Sequence, residues 1–215
     1  MTTTTSTVTG TDIRTVFARA MATGGDVIGN VRPDQLDEPT PCPDYDVRTL
    51  MGHLVTVLER VARMGRGENP FLAPDTVAGL ADDAWLPAWS DAAERVAEAW
   101  ADDAGLERIV HLPWAQESGA VTLASYCNEI TVHTWDLATA TGQRPAWDEE
   151  VLATSWESIR GMPGEGRAQM FAAVKAEMPE PFRSAGDPWV DAVPVADDAP
   201  LVDRLVAWNG RRPRP

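Results

Sequence analysis

The sequence is poor in positive charge and in cysteine, and both shortages exclude classes of protein. Its 215 residues carry 18 Lys and Arg against 33 Asp and Glu, a net charge of -15, and Lys175 is the single lysine. An acidic surface repels phosphate backbones and anionic lipid, so we expect no nucleic-acid and no membrane partner. Cys42 and Cys127 form neither a disulfide framework nor a Cys-x-x-Cys pair, which is typical of a reduced cytoplasmic compartment.

Long apolar runs and well-known catalytic motifs are also missing. No run of about 18 apolar residues is present, so no transmembrane helix is predicted. The Thr-rich residues 1–10 lack the basic and apolar parts of a signal peptide, and we expect them to be disordered. The chain has no Ser-His-Asp signature, phosphate loop or Gly-x-Gly-x-x-Gly motif. We expect a cytoplasmic monomer or homodimer that acts on a small-molecule substrate.

What the sequence does have is helical periodicity, with apolar residues three to four positions apart over four principal stretches. These predict helices from Asp12 to about Asn30, from Val47 to about Arg66, from roughly Asp82 to Ala104 and from about Thr122 to Thr141. Asp46 is the predicted N-cap of the second helix, and Gly142 is the predicted C-cap of the fourth. Shorter helices are predicted from Asp148 to Arg160 and over residues 198–208, and a hairpin or extended crossover from residues 107–112 and 118–122. The pattern predicts an all-α four-helix bundle with a long crossover over residues 11–215, with a C-terminal helical tail from about residue 143.

Three residues on these helices form a candidate metal site. Glu129 and His133 are four residues apart, about one helical turn, so their side chains leave the same side of the fourth helix. His53 lies on the second helix at the edge of its apolar stripe, where it faces the core boundary. Two His and one Glu can bind a divalent metal and leave a coordination position open, as catalytic zinc sites do.

Each part of this set has a simpler interpretation when taken alone. A Glu and a His one turn apart also make an ordinary contact on a helix surface, and His53 alone would more often be a hydrogen-bonded histidine at the core edge. Two observations favour the metal site. All three groups lie beside apolar stripes, where an unpaired carboxylate is costly, and the site uses two of the three histidines in the chain.

Other residues are weaker candidates. Asp136 lies near Glu129 on the helical wheel and could orient a metal ligand through a hydrogen bond, or it could be a solvated helix residue. His111, in the predicted hairpin, could play the same supporting part or lie on the surface. Cys42, between two prolines, could be a thiol of lowered pKa near a helix N-terminus, but a small residue in a rigid turn is the favoured interpretation. The nine tryptophans favour a core role over a stacking platform.

Two stretches of the sequence resemble a known family. TPCPDYDVRTLMGHLV (residues 40–55) and EITVHTWDLATATG (residues 129–142) look like the signature blocks of an actinobacterial metal-binding family. This family is similar to the N-terminal domain of mycothiol-dependent maleylpyruvate isomerase, within the wider DinB-like superfamily. The tail APLVDRLVAWNGRRP (residues 199–213) resembles the family's ending. The isomerase carries a second C-terminal domain, whereas the residues after Gly142 here resemble the family's short helical tail.

The resemblance implies a four-helix bundle with a divalent metal, usually Zn²⁺, held by His53, Glu129 and His133. It also implies thiol chemistry, because relatives use mycothiol in isomerase or S-transferase reactions. We therefore predict a zinc enzyme that activates a small thiol such as mycothiol for S-transfer or isomerisation of a small electrophile. The alternatives are a metal-dependent lyase or isomerase of secondary metabolism that uses no thiol, and a non-catalytic metal- or ligand-binding bundle. An enzyme would need an open metal position and a pocket beside it.

Overall fold

The computed structural model describes residues 10–176 and 190–213, so the disorder predicted for residues 1–10 lies almost wholly outside the described residues. Within those ranges the chain forms eight α-helices and one two-stranded antiparallel hairpin, and the prediction of an all-α bundle is confirmed. The elements are α1 (Ile13–Gly29), α2 (Val47–Gly65), α3 (Trp85–Ala99), α4 (Asp103–Glu107), β1 (Ile109–Leu112), β2 (Ala115–Ser118), α5 (Gly119–Thr141), α6 (Glu149–Ile159), α7 (Arg167–Ala176) and α8 (Leu201–Trp208).

Helices α1, α2, α3 and α5 form the bundle. α1 packs against α3 and α5, and α2 packs against the same two helices. The chain passes from α3 to α5 through α4 and the hairpin, which together are the long crossover. Phe17, Leu54, Leu58, Trp89 and Ile130 are among the side chains buried between the four helices. Burying one such large apolar side chain stabilises the fold by about 1.5–3 kcal/mol, so the bundle core positions α2 and α5 firmly.

The predicted caps are present at the two helices that matter most for the site. The Asp46 side chain accepts a hydrogen bond of 2.7 Å from the backbone N–H of Thr49 and so begins α2. Gly142 ends α5 with a φ of +73°, a left-handed conformation that glycine adopts without strain.

The predicted third helix was wrong at both ends. α3 begins at Trp85 and ends at Ala99, and a separate short helix, α4, follows it. The helix ends there because the Trp100 indole is buried and donates a hydrogen bond of 2.9 Å to the carbonyl of Val61. The Asp102 side chain then caps α4 by accepting from the N–H of Ala104 at 3.0 Å.

The hairpin is present, but its second strand lies earlier than predicted. β2 spans Ala115–Ser118 and pairs with β1 in a register that places Leu112 opposite Ala115. The residues predicted as strand after Ser118 belong to α5 instead, because the Ser118 hydroxyl caps that helix at the N–H of Val121. α7 was not predicted at all, since most of its side chains are exposed and its sequence shows little apolar periodicity.

The tail packs on the side of α5 that faces away from the bundle. Val132 of α5, Leu152 and Ile159 of α6, and Leu205 of α8 form a second, smaller hydrophobic cluster there. α5 is therefore buried on two sides, by the bundle and by the tail. Among the described residues, none of the helices is long and apolar enough to span a bilayer.

Candidate metal centre

The side-by-side packing of α2 and α5 brings the three predicted ligands together. The Nε2 atoms of His53 and His133 lie 3.3 and 3.5 Å from Oε1 of Glu129. The two imidazole centroids are 5.0 Å apart, and the ligand atoms of all three residues lie within 4.8 Å of one another. Two imidazole nitrogens and a carboxylate oxygen are the ligands that divalent metals take at open sites, so the donor set fits such an ion.

Contacts on the far side of the His53 ring determine which nitrogen faces Glu129. His53 Nδ1 lies 3.3 Å from the backbone carbonyl oxygen of Asp75. Since a carbonyl can only accept, Nδ1 is the donor in this contact, and Nε2 is the nitrogen that faces Glu129. The Tyr45 ring stacks on His53 with centroids 5.0 Å apart and planes 28° apart, and it covers that face of the imidazole.

The Asp75 carbonyl is held in place by a close approach of its loop to α2. The N–H of Val77 donates a hydrogen bond of 3.1 Å to the carbonyl of Gly52, and the Thr76 hydroxyl donates one of 3.2 Å to the carbonyl of Thr49. A Cβ at Gly52 would lie 2.1 Å from the Val77 carbonyl oxygen, so this approach requires glycine. Gly52, which precedes His53 in the sequence, thus allows the Asp75 carbonyl to contact Nδ1 of His53 and orient the ring.

His133 is oriented by a carboxylate. Its Nδ1 lies 3.1 Å from Oδ2 of Asp136, whose side chain is 0% exposed. The ionised carboxylate accepts a hydrogen bond from Nδ1–H, and Nε2 is left facing Glu129. A carboxylate behind a ligating imidazole orients the ring and makes it more basic. Asp136 is thus buried against His133, so the alternative of a solvated residue is wrong, and its part in orienting a metal ligand stays a prediction.

Asp136 has a second partner, which comes from the end of the chain. Nη2 of Arg211 lies 2.9 Å from Oδ2 of Asp136, and Nε lies 3.2 Å from Oδ1. The Arg211 side chain is 12% exposed, so both charges are shielded from water. This ion pair joins the tail to the candidate metal centre.

The pKa values of the cluster follow from this arrangement. Burial opposes ionisation of Glu129, but the charges and hydrogen bonds of His133 and His53 hold its pKa well below the usual range. Burial also disfavours a charged His133, yet the carboxylates of Glu129 and Asp136 raise its pKa to about 9. Burial would raise the pKa of Asp136, but the hydrogen bond from His133 and the charge of Arg211 lower it. The metal-free cluster thus pairs anionic carboxylates with a protonated His133 at neutral pH.

The cluster opens to solvent at Glu129. Its side chain is 40% exposed, whereas those of His53 and His133 are 10% and 9% exposed. Tyr126 lies one turn before Glu129 on α5, and the charge of Glu129 adds to burial in raising the pKa of its hydroxyl. A small molecule would therefore reach the three ligands past the Glu129 carboxylate.

Cys42 lies on the other side of His133. Cys42, His133 and Asp136 form a second group whose ligand atoms lie within 4.8 Å of one another. Burial raises the pKa of the Cys42 thiol to about 11, so the interpretation as a thiol of lowered pKa is wrong. The two groups share His133, and Arg211 already pairs with Asp136, so the second group is the environment of His133 Nδ1 and not an independent ion site.

The structure does not bring every candidate to the cluster. His111 lies on β1 opposite Gln116 and lines a surface cavity of about 540 Å³ next to Phe71 and Arg108. Sequence reasoning missed three contributors: the ring of Tyr45, the backbone carbonyl of Asp75 and the guanidinium of Arg211. Tyr45 and Arg211 stand in sequence blocks that resemble the family, residues 40–55 and 199–213, but nothing in the sequence relates either residue to the metal ligands.

Comparisons with known proteins show the family to which the chain belongs. The family described as the mycothiol maleylpyruvate isomerase N-terminal domain matches residues 17–138, a range that contains His53, Glu129, His133 and Asp136. Two uncharacterized proteins, from two strains of Mycobacterium tuberculosis, are each 30% identical over 188 residues, covering 87% of this chain and 91% of the relative. No solved structure matches the chain.

Proposed function

Because the chain belongs to the mycothiol maleylpyruvate isomerase N-terminal domain family, we propose that it is a zinc-dependent enzyme that activates a small thiol such as mycothiol. The thiol would attack a small electrophile, in S-transfer or in isomerisation. The observation that carries the proposal is the convergence of His53 Nε2 and His133 Nε2 on Glu129 Oε1, at 3.3 and 3.5 Å. Zinc accepts this donor set and keeps a position open for a reactant.

Each residue of the cluster has a defined part in this proposal. His53, Glu129 and His133 would hold the ion, which when bound lowers the pKa of a thiol and so supplies a thiolate at neutral pH. The Asp75 carbonyl and the Asp136 carboxylate each accept a hydrogen bond from an Nδ1–H group, so both Nε2 atoms remain directed into the site. The exposed side of Glu129 is where a thiol and an electrophile would enter.

The protein's own cysteines support the need for an added thiol. Burial raises the pKa of Cys42 to about 11 and that of Cys127 to about 12. Both thiols are therefore protonated at neutral pH, and the nucleophile is the thiolate and not the thiol. A thiol reaction at this site would thus use a small-molecule thiol.

Metal content and a spectroscopic titration test the proposal. Protein reconstituted with zinc should retain about one ion per chain after dialysis, as one His-Glu-His set binds one ion. In the cobalt-substituted protein, adding mycothiol should produce a thiolate-to-cobalt absorption band in the near ultraviolet, read as a difference spectrum so that the protein's own thiols cancel. His53→Ala should abolish the band, and the matched control His111→Ala should keep it.

The outcomes separate the competing functions. A folded wild-type protein that retains no zinc would refute the metal site. Bound zinc with a flat mycothiol titration would refute thiol activation and favour a metal-dependent lyase or isomerase, or a metal-binding bundle without catalysis. A band with mycothiol and none with a different small thiol such as glutathione would identify mycothiol as the preferred co-substrate.

A further inference from the structure

The C-terminal tail reaches the candidate metal centre through one side chain. Arg211 directs two N–H groups to the Asp136 carboxylate, with Nη2 at 2.9 Å from Oδ2 and Nε at 3.2 Å from Oδ1. The same Oδ2 lies 3.1 Å from Nδ1 of His133. Arg211, Asp136 and His133 therefore form a continuous hydrogen-bonded series, and Nε2 of His133 in turn lies 3.5 Å from Oε1 of Glu129. The residues matched by the family end at 138, so Arg211 lies outside that match.

The backbone conformation of the tail places the Arg211 side chain next to Asp136. After α8 the chain turns at Gly210, which has a φ of +79°, a conformation that other residues rarely adopt. The Arg211 N–H then donates a hydrogen bond of 2.9 Å to the carbonyl of Val206. Two amide–amide hydrogen bonds, of 3.2 and 2.9 Å, join Asn209 to Asn128, the residue before Glu129. The tail thus contacts α5 beside both of its predicted metal ligands.

We propose that Arg211 is a positioning residue of the metal centre, which holds the Asp136 carboxylate against His133 Nδ1 so that His133 Nε2 faces Glu129 and His53. The proposal rests on the proposed function, because it assigns Arg211 a part in the same site. Its physical basis is the pairing of a buried carboxylate. Asp136 is 0% exposed, and a buried carboxylate needs partners for both oxygens to remain ionised and in one orientation.

A single partner would not hold the carboxylate in this orientation. His133 supplies one N–H group to Oδ2 and none to Oδ1. Arg211 contacts both oxygens, and the planar guanidinium fixes the plane of the carboxylate as well as its charge. Without Arg211 the carboxylate would rotate or admit water, and either change would release the His133 ring. Hydrogen-bond partners behind metal-ligating histidines typically change metal affinity by about 10- to 100-fold.

Substitution of Arg211 in the full-length chain tests this role with two measurements. Arg211→Met keeps most of the apolar stem and removes the guanidinium, Arg211→Lys keeps a charge without the planar pair of N–H groups, and Arg212→Met is the matched control at an exposed neighbour. Zinc affinity is measured against a competing chelator. Exchange of the His133 Nδ1–H proton is measured by NMR on metal-free, ¹⁵N-histidine-labelled protein.

We expect Arg211→Met to weaken zinc binding by about 10- to 100-fold and to accelerate exchange of the His133 proton. Arg211→Lys should recover part of both values, and Arg212→Met should change neither. A folded Arg211→Met protein with wild-type zinc affinity and wild-type exchange would overturn the proposal. If Arg211→Met does not fold, Arg211→Lys decides: intermediate values support the role and wild-type values overturn it.

Two further comparisons separate the role of Arg211 from general packing of the tail and from the proposed metal binding. Asn209→Ala removes the amide contact with Asn128 and leaves the guanidinium, so it should loosen the tail without accelerating exchange of the His133 proton. Equal acceleration in Asn209→Ala and Arg211→Met would overturn the specific role of Arg211. If wild-type protein binds no zinc, the proposed function fails on its own, and the exchange measurement in metal-free protein still decides for or against Arg211.

Discussion

The two histidines of the candidate metal centre are held by different regions in different ways. On the α2 side, His53 Nδ1 faces a neutral backbone carbonyl, that of Asp75, 22 residues further along the chain. On the α5 side, His133 Nδ1 faces the buried carboxylate of Asp136, which is paired with Arg211, 75 residues away. The first contact depends on the shape of a loop, and the second depends on buried charge.

This difference predicts which changes each side tolerates. The α2 side needs close backbone approach, so added volume at Gly52 should damage it while changes of nearby charge should not. The α5 side needs a balanced set of buried charges, so removing one partner should damage it strongly. A carboxylate also makes an imidazole more basic than a carbonyl does, so His133 should be the stronger metal ligand of the two.

The largest expected effect is the loss of the ion itself. His133→Ala should lose most bound zinc, because two remaining ligands hold zinc poorly and the stronger imidazole is gone. His53→Ala should also lose most bound zinc, although less than His133→Ala at the same zinc concentration, and His111→Ala should retain the ion. Elemental analysis after dialysis measures all three. Equal retention in His133→Ala and wild type would contradict the assignment of the ligands.

The next effect is on folding stability on the α5 side. In metal-free protein, Arg211→Met should lower the free energy of unfolding by about 3 kcal/mol, the lower end for breaking a buried pair, because His133 remains as a partner of Asp136. Arg48→Met is the matched control, since Arg48 makes an ion pair of 2.7 Å with a half-exposed Asp82. That exposed pair should contribute only about 0–1 kcal/mol. Urea unfolding of both variants measures the two losses. Similar losses in Arg211→Met and Arg48→Met would disprove the stronger role of the buried pair.

On the α2 side, a side chain added at Gly52 should lower both stability and zinc affinity. Gly52→Ala places a Cβ against the Val77 carbonyl and the Thr76 hydroxyl, so the loop must move and the Asp75 carbonyl leaves His53. We expect a loss of about 1–3 kcal/mol in stability, typical of overpacking, together with weaker zinc binding. Gly161→Ala, where a Cβ would have nothing within 4 Å, is the control. Unchanged zinc affinity in a destabilised Gly52→Ala protein would show that the carbonyl does not orient His53.

The smallest effect is a pH dependence that should arise on the α5 side. The pKa of His133 is raised to about 9 in the metal-free protein, so a proton occupies Nε2 below that pH and zinc must displace it. Zinc affinity should therefore rise with pH up to about 9 and level off above it. The stability that protonated His133 gives the metal-free fold is present in full below about pH 6.5 and is lost as pH rises through 9.

Zinc titrations in buffers of different ionisation enthalpy check this prediction. About one proton should be released per ion at pH 7.5, from His133. An affinity that is flat between pH 7 and 9, with no proton released, would show that His133 is neutral in the metal-free protein. That result would remove the electrostatic difference between the two histidines.

Much of the fold follows from the sequence because its determinants are local. The spacing of apolar residues predicts the bundle helices, and Asp46 and Gly142 mark the start of α2 and the end of α5, because caps act within one turn of the chain. The spacing of Glu129 and His133, and the position of His53 at the edge of an apolar stripe, were enough to select the three residues that the structure brings together.

The other features of the fold and of the candidate site were decided by tertiary structure alone. The break after α3 depends on the burial of Trp100 against Val61, and the second buried side of α5 depends on the tail. The Asp75 carbonyl has no sequence signature, since every residue carries one. The pairing of Asp136 with Arg211 joins two regions that no periodicity relates. Local spacing determines which side chains share a helix face, whereas the partners that orient a metal ligand are set by packing between distant segments.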